Sequence, residues 1–346
     1  MAMEVAIIGA GIFGLAAGWA CSEAGHLVRI HDATAVGAGS SGGIVGALSP
    51  HMPEAWNPKK AFQFTSLLSA EPFWNRIETV SGLPTGYGRV GRWIPLHSEK
   101  ALAMAKARSD AAGRLWQGKA TFTVLPECAG ITAPYGVVHE TLSARLYPAL
   151  AVRALATALE RKGATITAPH TVTDPSDLDA DIVIVAAGHG CPDILPDLAP
   201  MLRGVKGQAA MLDHALPTDT PVLFDDGLYI IGHGPLGTAI GSTSENAWTT
   251  PGPDQLLDAL ITRAAGIMPA LGTAKVKQRW SGIRPRSVLP DPVLGPVSDR
   301  VWLFTGGFKI GFGIAHTLAE ALAQDISGNP ADLPETFRLS HHLSRQ

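Results

Sequence analysis

The sequence predicts a mixed α/β fold with two kinds of sheet, one parallel and one antiparallel. Three observations carry this expectation: a strand–helix–strand opening joined by a glycine-rich turn, later apolar strands placed next to capped helices, and many short alternating runs broken by glycine and proline. The chain has 346 residues, 46% apolar and 16% charged, enough to bury a sizeable core and to divide into two lobes.

From Glu4 the chain reads EVAIIGAGIFGLAAGWACSEAGHLVRIHD. Residues 5–8 form a short β-branched strand, residues 12–24 have helical spacing with Gly25 as the stop, and residues 27–31 make a second strand. Gly9, Gly11 and Gly14 stand between strand and helix as GxGxxG, and Gly18 follows one turn later. The first glycine permits the tight turn, the second lets backbone approach a pyrophosphate, and the third lets helix and sheet pack closely. The helix start at Ile12 and Phe13 then turns free N–H groups toward the phosphates. Asp32 ends the second strand 18 residues after Gly14, where a carboxylate accepts bonds from ribose hydroxyls. Together these features predict a Rossmann-like dinucleotide site, and an acid at this position favours FAD or NAD over NADP.

The next segment, GAGSSGGIVGALSPH at residues 37–51, exposes many backbone N–H groups. With Ser40, Ser41 and Gly43 it suits a further phosphate or ring contact. Residues 146–162 read as a helix with Pro148 near its start and Gly163 at its stop, followed by the strands ATITA and IVIVAAG. Near the C-terminus a strand at 301–305 leads into GGFKIGFG and then a helix at 314–326 with one apolar face. The positive end of that helix would stabilise negative charge on a bound ring. Between these pieces VKGQAAML, PVLFDD, LYIIGHG and TAIGSTSE read as short antiparallel strands.

The opening fingerprint, GSSGGIVGALSP, DADIVIVAAG, WSGIRPRS…PDPVLGPV and FTGGFKIGFGIAHTLAEAL occur in that order over nearly the whole chain. In this the sequence resembles the FAD-dependent D-amino-acid oxidase and glycine oxidase superfamily. GALSP is also similar to the flavin half of the bifunctional enzyme that finishes a tRNA wobble-uridine modification. The resemblance implies a Rossmann-like FAD domain of the glutathione-reductase type, assembled from residues 1–82, 142–201 and 290–346. An antiparallel-sheet substrate domain at residues 83–141 and 202–289 would cover the flavin.

The resemblance puts Ala187 and Gly188 near the cofactor, and likewise Gly306, Gly307, Phe308, Lys309, Ile310 and Gly311. It further implies that Arg284, in the G-[apolar]-R-P motif, binds a substrate carboxylate and that Tyr229 assists with its hydroxyl. Lys309 stands where glycine oxidases carry an arginine, with Gly307 in place of a histidine and Ile310 in place of an asparagine. Arg286 matches no family position and is expected to be solvated or to neighbour a phosphate.

A single nucleotide fingerprint and the C-terminal glycine turn favour FAD over NAD. No cysteine follows Cys191, so a noncovalent flavin is expected, and Cys21, Cys128 and Cys191 lack the spacing of a disulfide framework or metal site. His51, His139, His189 and His233 have no spaced partner that would make any of them a base.

The expected activity is oxidation of the C–N bond of a small amine or amino acid bearing a carboxylate, of glycine, sarcosine or D-amino-acid type, by hydride transfer to FAD. Two alternatives stay open: a stand-alone flavin enzyme acting on carboxymethylaminomethyl-uridine of tRNA, and a non-catalytic flavin-binding module. A net charge of −3 without a lysine or arginine run gives no electrostatic footprint for nucleic acid. The longest apolar runs fall far short of the roughly 20 residues that span a bilayer. MAMEVAIIGAG lacks a basic flank or cleavage site, so a cytoplasmic chain is expected. The electron acceptor, oxygen or another, and the oligomeric state have no signature in the sequence.

Overall fold

The computed structural model describes residues 2–345. A six-stranded sheet runs in the order Val293–Pro296, Val301–Thr305, Ile182–Val185, Glu4–Ile8, Leu27–His31, Thr165–Thr167. Neighbours are parallel except the first pair, which is antiparallel. The central strands are near-continuous runs of Val, Ile and Ala because both faces of a parallel sheet are covered. Val5 and Ile7 enter the core beneath the helices Ile12–Glu23, Pro148–Arg161 and Gly311–Ile326. Ala6 and Ile8 point the other way, into a smaller core closed by Leu178, Cys191 and Leu198.

The helix Ile12–Glu23 starts directly from the extended Gly11 without a side-chain cap, which leaves its first N–H groups open for other partners. Pro148 opens the helix Pro148–Arg161 at the position where a missing N–H costs nothing. The C-terminal helix begins at Gly311, one turn before the 314–326 span that the apolar face predicts, because glycines in its first turn carry no hydrophobic signal.

The second sheet has eight strands. Their order is Val276–Ser287, Leu202–Leu212, Thr238–Gly241, Leu228–Gly232, Val222–Asp225, Arg92–Pro95, Val137–Glu140, Phe122–Leu125. All neighbours are antiparallel except Val222–Asp225 with Arg92–Pro95. The helix Leu256–Ile267 covers one face of the sheet through Leu257, Ala264 and Ile267, and the other face looks across a cleft toward the six-stranded sheet. WSGIRPRS lies within the strand Val276–Ser287 at the sheet edge, and Pro285 is tolerated there because an edge strand needs donors on one side only.

Candidate active site

A cleft of about 750 Å³ runs between the two sheets. At one end lies the opening βαβ unit. Gly9 has φ +113, and a Cβ on it would sit 2.5 Å from the Ala186 carbonyl oxygen of the next strand, so glycine is required. A Cβ at Gly14 would run into the Gly9 carbonyl oxygen, so Gly14 sets the approach of helix to strand and does not itself line the cleft. Gly11, Ile12 and Phe13 do line it.

Ser41, in the short turn Ser40–Gly42, accepts the Ile12 backbone N–H at 3.0 Å and so joins the two glycine-rich segments at the helix start. Ser40, Ser41 and Gly43 form adjacent wall. Asp32 accepts the Ala10 N–H on Oδ2 at 2.8 Å, and Thr34 and Ala35 on Oδ1 at 3.0 to 3.2 Å. Both carboxylate oxygens are thereby oriented, and Oδ2 keeps acceptor capacity for a hydroxyl.

Ala187 and Gly188 border the middle of the cleft. The turn after Val301–Thr305 contributes Gly307, Phe308, Lys309 and Gly311, whereas Gly306 and Ile310 lie outside the lining and shape the turn. A Cβ on Gly307 would stand 2.5 Å from the Phe13 ring, so this turn packs directly on the nucleotide helix. The Gly311–Ile326 helix presents its N-terminus to the cleft through Gly311 and Phe312. Phe308 holds φ +40, a left-handed conformation rare outside glycine. Its N–H donates to the Pro285 carbonyl at 3.0 Å, and its ring lies under Arg286 and Lys309 at 5.2 and 5.4 Å. Arg286 is therefore stacked on the turn, not merely solvated, and it does not line the cleft.

Arg284 projects into the opposite end. Nη1 donates to the Thr243 carbonyl at 3.2 Å and Nη2 to Ser242 Oγ at 2.5 Å. The guanidinium lies over Gly207 of the neighbouring strand, where any Cβ would collide with it. Burial brings the Arg284 pKa down to about 10, partly offset by the charge of Glu245. Among the described residues no carboxylate pairs with it directly, so two sides of its donor fork remain for an anion. Glu245 itself is engaged behind the strand in a buried group with Gln208 and Lys206, and Lys206 also meets Asp254 at 2.5 Å.

Tyr229 lines the same cleft, its ring 4.8 Å from that of Phe224. Burial raises its pKa, against the opposing effects of Arg92 and Ser49 beside its hydroxyl, so it stays a phenol and a donor. Lys309 is exposed in the cleft mouth. Burial of part of its stem, then the charges of Arg284 and Arg286, hold its ammonium below the usual lysine range, while Asp226 acts the other way.

The structure adds wall residues that sequence reasoning passed over. Trp280 packs against the Ser40–Gly43 turn, where a Cβ on Gly43 would be 3.1 Å from its indole, and Phe224, Asp226 and Ser242 line the cleft with Arg284. Residues 171–173 line the cleft together with Asp32 and His31. Trp280 belongs to the WSGIRPRS stretch, whose motif points to Arg284 and says nothing of the tryptophan. Asp226, Ser242 and residues 171–173 lie in turns and loops with no local pattern, and Phe224 lies in the strand Val222–Asp225, whose sequence does not say which face meets the cleft. Among the candidate histidines His189 reaches the cleft, and His233 is buried with Nε2 against the Ile44 carbonyl at 3.0 Å. Among the described residues no cluster of three or more His, Cys, Asp or Glu could hold a metal, no cysteine lines the cleft, and no helix is long and apolar enough to cross a membrane.

A family model described as FAD dependent oxidoreductase matches residues 4–324. The bifunctional tRNA 5-methylaminomethyl-2-thiouridine biosynthesis protein of Maricaulis maris is 30% identical over 96% of this chain, which spans only 54% of that longer protein. Glycine oxidase of Bacillus licheniformis is 22% identical, with 94% of each chain covered. In three dimensions the glycine oxidase of Geobacillus kaustophilus superposes with a TM-score of 0.84 at 20% identity, covering 97% of this chain and 98% of that one.

Proposed function

The chain belongs to the FAD dependent oxidoreductase family, an enzyme family whose cofactor suits the glycine-lined cleft, and on that premise we propose that it oxidises the C–N bond of a small amine or amino acid bearing a carboxylate. Glycine, sarcosine and D-amino acids are the substrate types in view. The observation that carries this reading is the Arg284 guanidinium, free of any direct acidic partner among the described residues and opening on the cleft that the glycine turns line.

FAD, held without a covalent link, would supply a two-electron acceptor for a hydride from the substrate α-carbon. The residues that would hold it are Gly9, Gly11, Ile12, Phe13, Asp32, Ser40, Ser41, Gly43, Ala187 and Gly188, with the 306–311 turn at the far end. Arg284 clasps the carboxylate and so fixes the adjacent α-carbon. Tyr229 offers a neutral hydroxyl donor at the same end, and Phe224 and Trp280 keep the wall dry. The amine reacts unprotonated: its lone pair forms the C=N bond as the C–H bond breaks, and water then hydrolyses the imine. Positioning supplies most of the rate, since among the described residues no histidine with a side-chain partner faces this end.

The 30% identity to the bifunctional tRNA-modifying protein supports a second reading, in which the amine is a carboxymethylaminomethyl group on a tRNA uridine. An anaerobic bleaching screen separates the readings. The purified yellow protein is mixed with glycine, sarcosine, D-amino acids, D-hydroxy acids and modified nucleosides one at a time, and loss of visible flavin absorbance is followed. Bleaching by an amino acid is expected. Bleaching by nucleosides alone would move the assignment to the second reading, and a flavin that no amine reduces would remove both.

A further inference from the structure

The substrate end holds more positive charge than one carboxylate consumes. Arg284 is anchored deep: Ser242 and Thr243 take one N–H from each terminal nitrogen, and Gly207 lets the guanidinium lie flat on the strand. The remaining donors form a single fork, which one carboxylate saturates. Lys309 stands on the turn before the Gly311–Ile326 helix, which bonds to Pro285 beside Arg284 through the Phe308 N–H, and it is exposed in the cleft lining where Arg284 is buried. The two side chains therefore offer cationic contacts at different depths of one cleft. Their mutual repulsion, added to by Arg286, weighs on the Lys309 ammonium. Asp226, on the hairpin tip at the rim, is the acid that opposes it, yet it forms no ion pair with Lys309.

Building on the amine-oxidation reading, we infer that the substrate is an amine carrying two carboxylates, the first held by Arg284 in the depth of the cleft and the second by Lys309 at its mouth. A monocarboxylate leaves Lys309 with two arginines against the single unpaired Asp226, whereas a dicarboxylate compensates both cations.

The test uses a matched pair of secondary amines that differ by one carboxylate, sarcosine and iminodiacetate, with the holoenzyme under anaerobic conditions. Iminodiacetate should reduce the flavin roughly two- to fivefold more efficiently than sarcosine, as expected for one further exposed charged contact. Lys309→Met should collapse that ratio and Lys309→Arg should keep it. Equal efficiency for the two amines, or an equal loss on both in Lys309→Met, overturns the two-carboxylate assignment while leaving amine oxidation intact. If neither amine reduces the flavin, the wider screen of amines decides the oxidation reading separately, and spectral titration still decides the inference. Tighter binding of iminodiacetate than of sarcosine supports it, and equal binding overturns it.

Discussion

The two ends of the cleft are built in opposite ways. The nucleotide end comes largely from one continuous stretch, residues 4–43, whose glycines, helix start and terminal acid meet because they are neighbours in a single βαβ unit. The substrate end draws Phe224, Tyr229, Ser242, Arg284 and Lys309 from four separate places in the chain, held by strand register and by one turn crossing another at Phe308 and Pro285. A contiguous site depends on close backbone approach, so a single methyl group can destroy it. An assembled site depends on individual side-chain charges, so it fails one interaction at a time.

The largest effect to expect is at Gly14. Gly14→Val forces side-chain atoms into the Gly9 carbonyl, which is backbone and has no room to yield, so the purified variant should be colourless and fail to bind added FAD. Retention of flavin there would break the comparison. At the other end Arg284→Ala should leave flavin content unchanged while lowering kcat/KM by about 2–5 kcal/mol, or roughly 30- to several-thousand-fold. Equal losses of flavin and turnover would mean that the two ends are not separable.

Between them lies His233, buried against the Ser40–Val45 segment through the Ile44 carbonyl, its pKa pushed down by burial to about 4. The folded state refuses a proton that the unfolded chain takes up, so stability is full above the ordinary histidine value. It is lost as pH falls from about 6.5 toward 4, by about 3 kcal/mol at most from this group. Thermal melts across that window should drop accordingly, and replacement by an apolar residue should flatten the slope. The smallest effect is at Asp32, whose carboxylate is one contact among many: Asp32→Ala should weaken FAD binding by about 1.5–3 kcal/mol, measured by flavin titration of the apoprotein, with kcat nearly unchanged at saturating FAD.

Sequence by itself determined the βαβ end of the cleft, since GxGxxG, the strand–helix–strand period and Asp32 are local patterns with local geometry. It also signalled the C-terminal glycine turn, and Arg284 could be singled out by its motif but not distinguished by spacing from Arg286. Only tertiary structure decided that distinction. Arg284 and Arg286 share one strand and, two apart, one face of it; Gly207 leaves room for the guanidinium of the first, whereas the ring of Phe308 captures the second. Trp280, Phe224 and Asp226 likewise became cleft wall only through pairing of distant strands. Local backbone rules fix what neighbours in sequence do, but the position of a charge over a cleft is set by strand register and crossing turns, and these belong to the folded chain as a whole.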